Sequence, residues 1–384
     1  MQGHIRRRGN SWAVVIEMPR DPLTGRRRQQ WRSVRGPKRE AQALLVQLLS
    51  ERDSGVDQPL GKLTLGDYLE RWLRDYVEPN LAPKTARSYA DIVRRHIAPS
   101  LGGVLLAKLR PAHLQAHYAR ALRQGRLDGK GALSPQSVLH QHHALRAALR
   151  QAVKLQLLVR NPCDGVQPPR VARTEMRALN PKEATRLMRA ADDTPFGPLI
   201  RTALLTGLRQ GELLGLRWSD LDLDAGVLRV NQTVQWLPRE GFIFRPPKTT
   251  KGRRSLPISD ETVQTLRLSR RRQVEDRLRI GRSYEGFDLV FATAVGGPID
   301  PSNLRRAWLV ILDAAGLDRV PFHSLRHSHA SLLMQQGVNA KIVSERLGHS
   351  GIAITLQTYS HILPGLQEEA VARLDDLLRG AGTA

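Results

Sequence analysis

The sequence predicts a multidomain α+β protein: a small N-terminal β-sheet with one helix, an all-helical middle domain, and a mostly α third domain holding a small antiparallel sheet. Three observations carry this reading. At 384 residues the chain is long enough for two or three separate cores. Two stretches rich in Gly, Pro and polar residues, 54–61 and 161–174, interrupt the apolar pattern. The spacing of apolar residues also changes, from strand-like alternation in the first segment to helical spacing in the second.

In residues 1–58, Trp12, Val14 and Ile16 alternate as strand residues do, and Asp21 to Gly25 is turn chemistry. With the helical run over 38–52, this predicts a three-stranded sheet crossed by one helix. Arg6, Arg7, Arg8, Arg26, Arg27 and Arg28 flank the strands closely enough to touch phosphates; the plain alternative is a solvated basic surface. Residues 63–160 read as four helices. Leu65, Leu69, Trp72, Leu73 and Tyr76 form an apolar stripe, and similar stripes follow Pro83, Pro111 and Ser134. Lys84, Arg87, Arg94, Arg95 and the cluster His140, His142, His143 are left to face a polyanion.

The third domain, 175–384, opens with helices headed by Pro181 and Pro198. Runs at 227–230, 242–244 and 255–258 suggest one three-stranded sheet whose last turn presents Lys248. An arginine-rich helix over 262–280 and a further helix over 302–315 follow. Ser324 is placed to cap a helix over 325–336, and Asn339 a second one stopped by Gly348, which leaves His349 at an exposed turn. Tyr359 falls on a third helical segment. A final helix over 366–378 carries one apolar stripe, fit to pack on its own domain or on a neighbour's.

Sixty Lys plus Arg against 36 Asp plus Glu give a net charge of +24, which favours a polyanionic partner. One cysteine excludes an internal disulfide and any cysteine-based zinc site. No run approaches the about 18 apolar residues of a membrane span, and the basic start lacks a signal-peptide core. A soluble, cytoplasmic protein is expected.

Chemistry concentrates in residues 320–362, which hold His323, Arg326, His349 and Tyr359. His323 and Arg326 share a helix N-terminus, where free N–H groups already favour an anion. His323 and His327 stand at metal-ligand spacing, but no carboxylate or cysteine accompanies them and the glutamate of H-E-x-x-H is missing, so no metal site is expected. Read from the residues alone, this is a phosphate site with a phenol beside it. Upstream, T-G-L-R-Q-G-E-L places Arg209 after a Gly207 turn with Glu212 one helical step on, and P-K-T followed by R-x-L-P sets Lys248 in a loop. With these boxes in order, then H-x-L-R-H, L-G-H-S and T-x-x-T-Y-S-H, the chain resembles the tyrosine recombinases, most closely the phage-type integrases.

The resemblance implies an arm-type DNA-binding domain at 1–58, a helical core-binding domain at 63–160 and a catalytic domain at 175–384. It implies Arg209 and Arg326 as the arginine pair, Lys248 as the hairpin lysine, His323 and His349 as the histidine pair, Tyr359 as the nucleophile and Glu212 as a support. The implied reaction cuts and rejoins DNA through a 3′-phosphotyrosine with no cofactor. Tyrosine attacks, the arginines meet the growing phosphate charge, and the lysine protonates the leaving 5′ oxygen. Which histidine moves a proton stays open. The implied partners are double-stranded DNA at core and arm sites, three further copies in a homo-tetramer, and an accessory DNA-bending or directionality protein, in the nucleoid of a bacterial host, with no membrane. A topoisomerase of type IB shares the chemistry, and a non-catalytic DNA-binding regulator shares the charge.

Overall fold

The computed structural model describes residues 3–18, 28–53, 62–172, 177–238, 240–247 and 250–359, with Val371 and Asp375. For Met18, Arg28, Gln47, residues 50–53, Thr250 and Tyr359 it describes the backbone alone. The expected turn at 21–25 with Arg26 and Arg27, Lys248, and all of the expected helix 366–378 except helical Val371 and Asp375 lie outside the described residues. The chain divides into two compact units, Met1–Arg173 and Thr174–Ala384.

In the first unit β1 (Gly3–Arg8), β2 (Ser11–Met18) and β3 (Arg28–Val34) form an antiparallel sheet in that order. Helix α1 (Lys38–Asp53) lays Ala41 and Leu48 on Val14 and Ile16, so the alternating positions of β2 become a small core. A larger core belongs to the helices that follow. Helix α2 (Leu65–Trp72), capped by the Thr64 side chain, runs through a π turn at Leu73–Val77 into α3 (Glu78–Asn80). Helix α4 (Pro83–Ile92) likewise runs through a π turn at Val93–Ile97 into α5 (Ala98–Leu101). The bundle is completed by α6 (Pro111–Gln124) and α7 (Pro135–Lys154).

Two expectations for this bundle are corrected. The wide π turn shifts the phase of the apolar stripe by one residue, so Val77 is buried and Tyr76 is 40% exposed. His142 does not face outward. It shares the buried face of α7 with Val138, Leu145 and Leu149, and its Nδ1 lies 3.1 Å from the Tyr118 hydroxyl, while His140 and His143 are exposed.

The second unit begins with α8 (Pro181–Asp192), α9 (Gly197–Thr206) and α10 (Gln210–Leu214). Strands β4 (Leu221–Asp222), β5 (Val227–Val230) and β8 (Arg254–Pro257) form a three-stranded sheet in the order β4-β5-β8. Between β5 and β8, β6 (Thr233–Leu237) and β7 (Gly241–Arg245) pair as a separate ladder. Phe242 to Phe244 therefore do not join the sheet of Val227 to Val230 as expected. Asn231 and Gln232, anchored to the Asp220 carboxylate and the Gly215 carbonyl, turn the chain away after β5.

Helices α11 (Asp260–Ile280), α12 (Pro301–Ala314), α13 (Ser324–Gln335), α14 (Ala340–Leu347) and α15 (Ile352–Tyr359) follow. Ser324 begins α13 instead of capping it. Its N–H is taken by the Pro321 carbonyl, and His323 holds the cap position. The main core joins α8, α9, α12 and the sheet, and a smaller cluster of Ala330, Met334, Val343 and Leu347 fastens α14 to α13. Among the described residues no helix is long and apolar enough to cross a membrane.

Candidate active site

Two tight turns frame the site. Helix α9 ends on Gly207 at φ +67°, where a Cβ would lie 2.7 Å from the His329 ring and 2.8 Å from Leu347, so only glycine lets α9 end against α13 and α14. Helix α14, capped by Asn339, ends on Gly348 at φ +64° and hands the chain to His349.

The two arginines brace these turns against each other. Arg209 donates from Nη2 to the Gly348 carbonyl at 3.1 Å. Arg326, 2% exposed, donates from Nη1 to the Gly207 carbonyl at 2.9 Å and from Nη2 to the Leu347 carbonyl at 2.6 Å. The last carbonyls of a helix lack partners within it and carry partial negative charge, which suits a guanidinium. Glu212 sets Arg209 from below: Arg209 donates through Nη1 to Oε1 at 2.7 Å and through its backbone N–H to Oε2 at 3.1 Å. Burial pushes the Glu212 carboxyl up, but hydrogen bonds and charge from Arg254, then the charge of Arg209, hold it below the ordinary carboxylate value.

Both histidines lie close enough to this pair to feel its charge. His323 keeps an exposed edge, and partial burial, then Arg326 and Arg209, lower its pKa against the opposing pull of Glu212. Its ring meets His327 edge-on at 4.8 Å. Half-buried His349 shares a 2.8 Å hydrogen bond through Nδ1 with Thr355 Oγ1, and burial followed by Arg326 and Arg209 pushes it down to about 4. Thr355 is fully buried on α15, and Tyr359 ends that helix one turn later. Arg209, Glu212, His323, Arg326 and His349 are thus brought together. Lys248 falls outside the described residues, and of Tyr359 only the helical backbone is described.

A model of the phage integrase family matches residues 177–365, and one of the integrase N-terminal SAM-like domain matches 64–122. A XerC-like tyrosine recombinase of Caldanaerobacter subterraneus subsp. tengcongensis is 32% identical over 360 residues, spanning 88% of this chain and 90% of that protein. The chain belongs to the phage integrase family of tyrosine recombinases. The recombinase shares its fold with the Tn1549 transposon integrase, solved with a circular intermediate DNA, at a TM-score of 0.68, 21% identity, and coverage of 81% of this chain and 99% of that one. It likewise resembles lambda integrase, solved as a tetramer on a Holliday junction, at a TM-score of 0.55, 20% identity, and coverage of 91% and 96%.

The described basic residues expected to meet DNA belong to the first unit. Arg6, Arg7 and Arg8 are exposed on β1, Arg8 5.6 Å over the Trp31 ring, and Arg28 begins β3. Lys84 and Arg87 are exposed on α4. Arg94 forks onto Glu70 at 2.8 Å, and Arg95 lies 3.5 Å from Asp91, so in this recombinase both are ion-paired on the protein surface. Sequence reasoning missed Arg254 and Thr355, although both stand in boxes it singled out, R-x-L-P and T-x-x-T-Y. It also missed His329, whose Nδ1 lies 2.9 Å from the Leu204 carbonyl while Nε2 accepts from Arg346 at 3.2 Å.

That pairing predicts acid sensitivity. Burial, then the charge of Arg346, depresses the His329 pKa to about 4, so the folded protein holds it neutral while the unfolded chain protonates near 6.5. A depressed pKa contributes stability that is present above about pH 6.5 and lost as pH falls through about 4, worth roughly 3 kcal/mol for His329. Melting of the DNA-free protein should show Tm steady above pH 6.5 and falling below it. A Tm unchanged down to pH 4 would contradict this arrangement.

Proposed function

We propose that this recombinase breaks and rejoins DNA through a covalent bond between Tyr359 and a 3′ phosphate, exchanging strands between specific sites of a phage or other mobile element. The observation that carries the reading is the convergence of Arg209, Arg326, His323 and His349 at the two glycine turns, with His349 tied to α15 one turn before Tyr359. The phenol oxygen attacks phosphorus, the P–O5′ bond breaks, and the 5′ oxygen leaves as a hydroxyl. Rejoining reverses the step with a 5′ hydroxyl from another strand. A guanidinium has five N–H donors. Bracing by Glu212 and Gly348 therefore leaves Arg209 donors for the non-bridging oxygens, whose charge grows in the transition state. Neutral His323 and His349 suit proton acceptance from the phenol and a hydrogen bond to a phosphate oxygen. Lys248 supplies the proton to the leaving oxygen.

In this reading residues 1–58 bind arm sites and 63–160 close over the core site, consistent with their separate apolar clusters, and 175–384 carry the chemistry. The protein acts in the cytoplasm on double-stranded DNA. Lambda integrase, solved as a tetramer on a junction, supports the same assembly here.

The test is incubation with supercoiled and attachment-site DNA, followed by denaturation. A protein–DNA adduct with recombinant products is expected, relaxation without exchange would point to a topoisomerase, and no adduct would point to a regulator. The reaction should also proceed in excess EDTA. Glu212, the carboxylate of the cluster, is occupied by Arg209 and Arg254, and the arginines supply the positive charge that a metal would bring. Inhibition by EDTA that Mg²⁺ reverses would overturn the metal-free mechanism.

A further inference from the structure

We infer that Arg254 is a positioning residue of this site: from β8 it holds Glu212, and through Glu212 Arg209, in register with the His349 turn and the segment Thr250–Gly252. The inference rests on the reading just given and assigns a role to a residue with no part in the bond changes.

The guanidinium of Arg254 reaches three segments at once. Nη2 donates to Glu212 Oε2 at 2.9 Å and Nη1 to Oε1 at 3.3 Å. Nε donates to the Arg346 carbonyl at 2.8 Å, in the last turn of α14, and Nη1 also reaches the Gly252 carbonyl at 3.1 Å. Its side chain is 8% exposed and that of Glu212 4% exposed, so the pair is a buried one. A buried charge is tolerated only when its partners are in place. Arg209, by contrast, is 40% exposed, and its own bond to Glu212 three residues on leaves the outer part of the side chain in solvent, where a single ion pair fixes geometry weakly. Arg254 makes up that deficit, because with both carboxylate oxygens held from β8 and from the Arg209 turn, Glu212 has one orientation in which to present Arg209.

The same residue joins the two flanks. A Cβ on Gly348 would lie 2.9 Å from Arg254 Nη1 and 3.0 Å from the Lys251 carbonyl, so glycine lets this segment and the guanidinium close on the turn before His349. Lys251 adds a 2.9 Å bond from Nζ to the Ser350 carbonyl. The short helical turn Thr250–Gly252, which follows Lys248 in sequence, is therefore seated on the turn that presents His349. Lysine at 254 would keep the charge but not the fork, since an ammonium cannot span Glu212, Arg346 and Gly252 in these directions.

The test measures single-turnover formation of the covalent adduct at saturating protein, DNA affinity and thermal melting for Arg254→Lys and Arg254→Met, alone and combined with Arg209→Ala. Misplacing a reacting group by about 1 Å costs on the order of 10²-fold. Arg254→Lys should therefore cleave about 10²-fold more slowly with DNA affinity nearly unchanged. Because Arg254 acts through Arg209, adding Arg254→Lys to Arg209→Ala should slow cleavage by no more than about twofold further. Full multiplication of the two losses would mean a merely structural role and overturn the inference, as would a wild-type rate in Arg254→Lys. If Arg254→Met does not fold, Arg254→Lys decides alone. Wild-type adduct that Tyr359→Phe lacks establishes the chemistry separately, so a normal Arg254→Lys sinks this inference only, whereas a wild type without a Tyr359-dependent adduct sinks both.

Discussion

Tyr359→Phe leaves DNA binding in place and abolishes covalent attachment. The substitution removes one oxygen, the nucleophile, and keeps the ring. The residue ends α15, which is anchored one turn earlier by the bond between buried Thr355 and His349, so the helix should stay docked in the variant. Without its nucleophile the covalent intermediate cannot form, so the expected loss is complete and not a graded slowing. The measurement is a denaturing gel of labelled attachment-site DNA with the variant, beside a mobility shift under native conditions. Any adduct retained by the variant would assign the nucleophile elsewhere.

Arg326 and Arg209 should separate in their effects on stability while agreeing in their effects on rate. Removing either guanidinium from the phosphate is expected to slow cleavage by about 10²–10³-fold. Arg326, however, is buried and holds the carbonyls of both Gly207 and Leu347. Arg326→Met should therefore also destabilise the protein by roughly 2 to 3 kcal/mol, the range for hydrogen bonds to a charged group left with buried orphan partners. Arg209 is 40% exposed, and Arg209→Ala should melt close to wild type. Single-turnover cleavage and denaturant melts of both variants check the pair of expectations. Lowered melting with a wild-type cleavage rate in Arg326→Met would mean that Arg326 serves the fold and not the phosphate.

The sequence by itself determined what depends on neighbours in the chain. The alternation of Trp12, Val14 and Ile16, the Asn339 cap, the stops at Gly207 and Gly348, and the order of the boxes from Arg209 to Tyr359 are all readable over a few residues, because turns, caps and period arise from local backbone geometry. The family of the chain follows from those boxes. Tertiary structure alone decided which distant groups share a bond. Arg326 reaches Gly207 across 119 residues, Arg209 reaches Gly348 across 139, and Arg254 meets Glu212 across 42. The R-x-L-P spacing puts Arg254 on the face of buried Leu256, but only the pairing of β8 with β5 and the packing of α14 bring its guanidinium to Glu212 and the Arg346 carbonyl. The same holds for His142, turned into the bundle by the phase of α7, and for Tyr76, turned out of it by a π turn, since packing selects among registers that the period leaves equivalent.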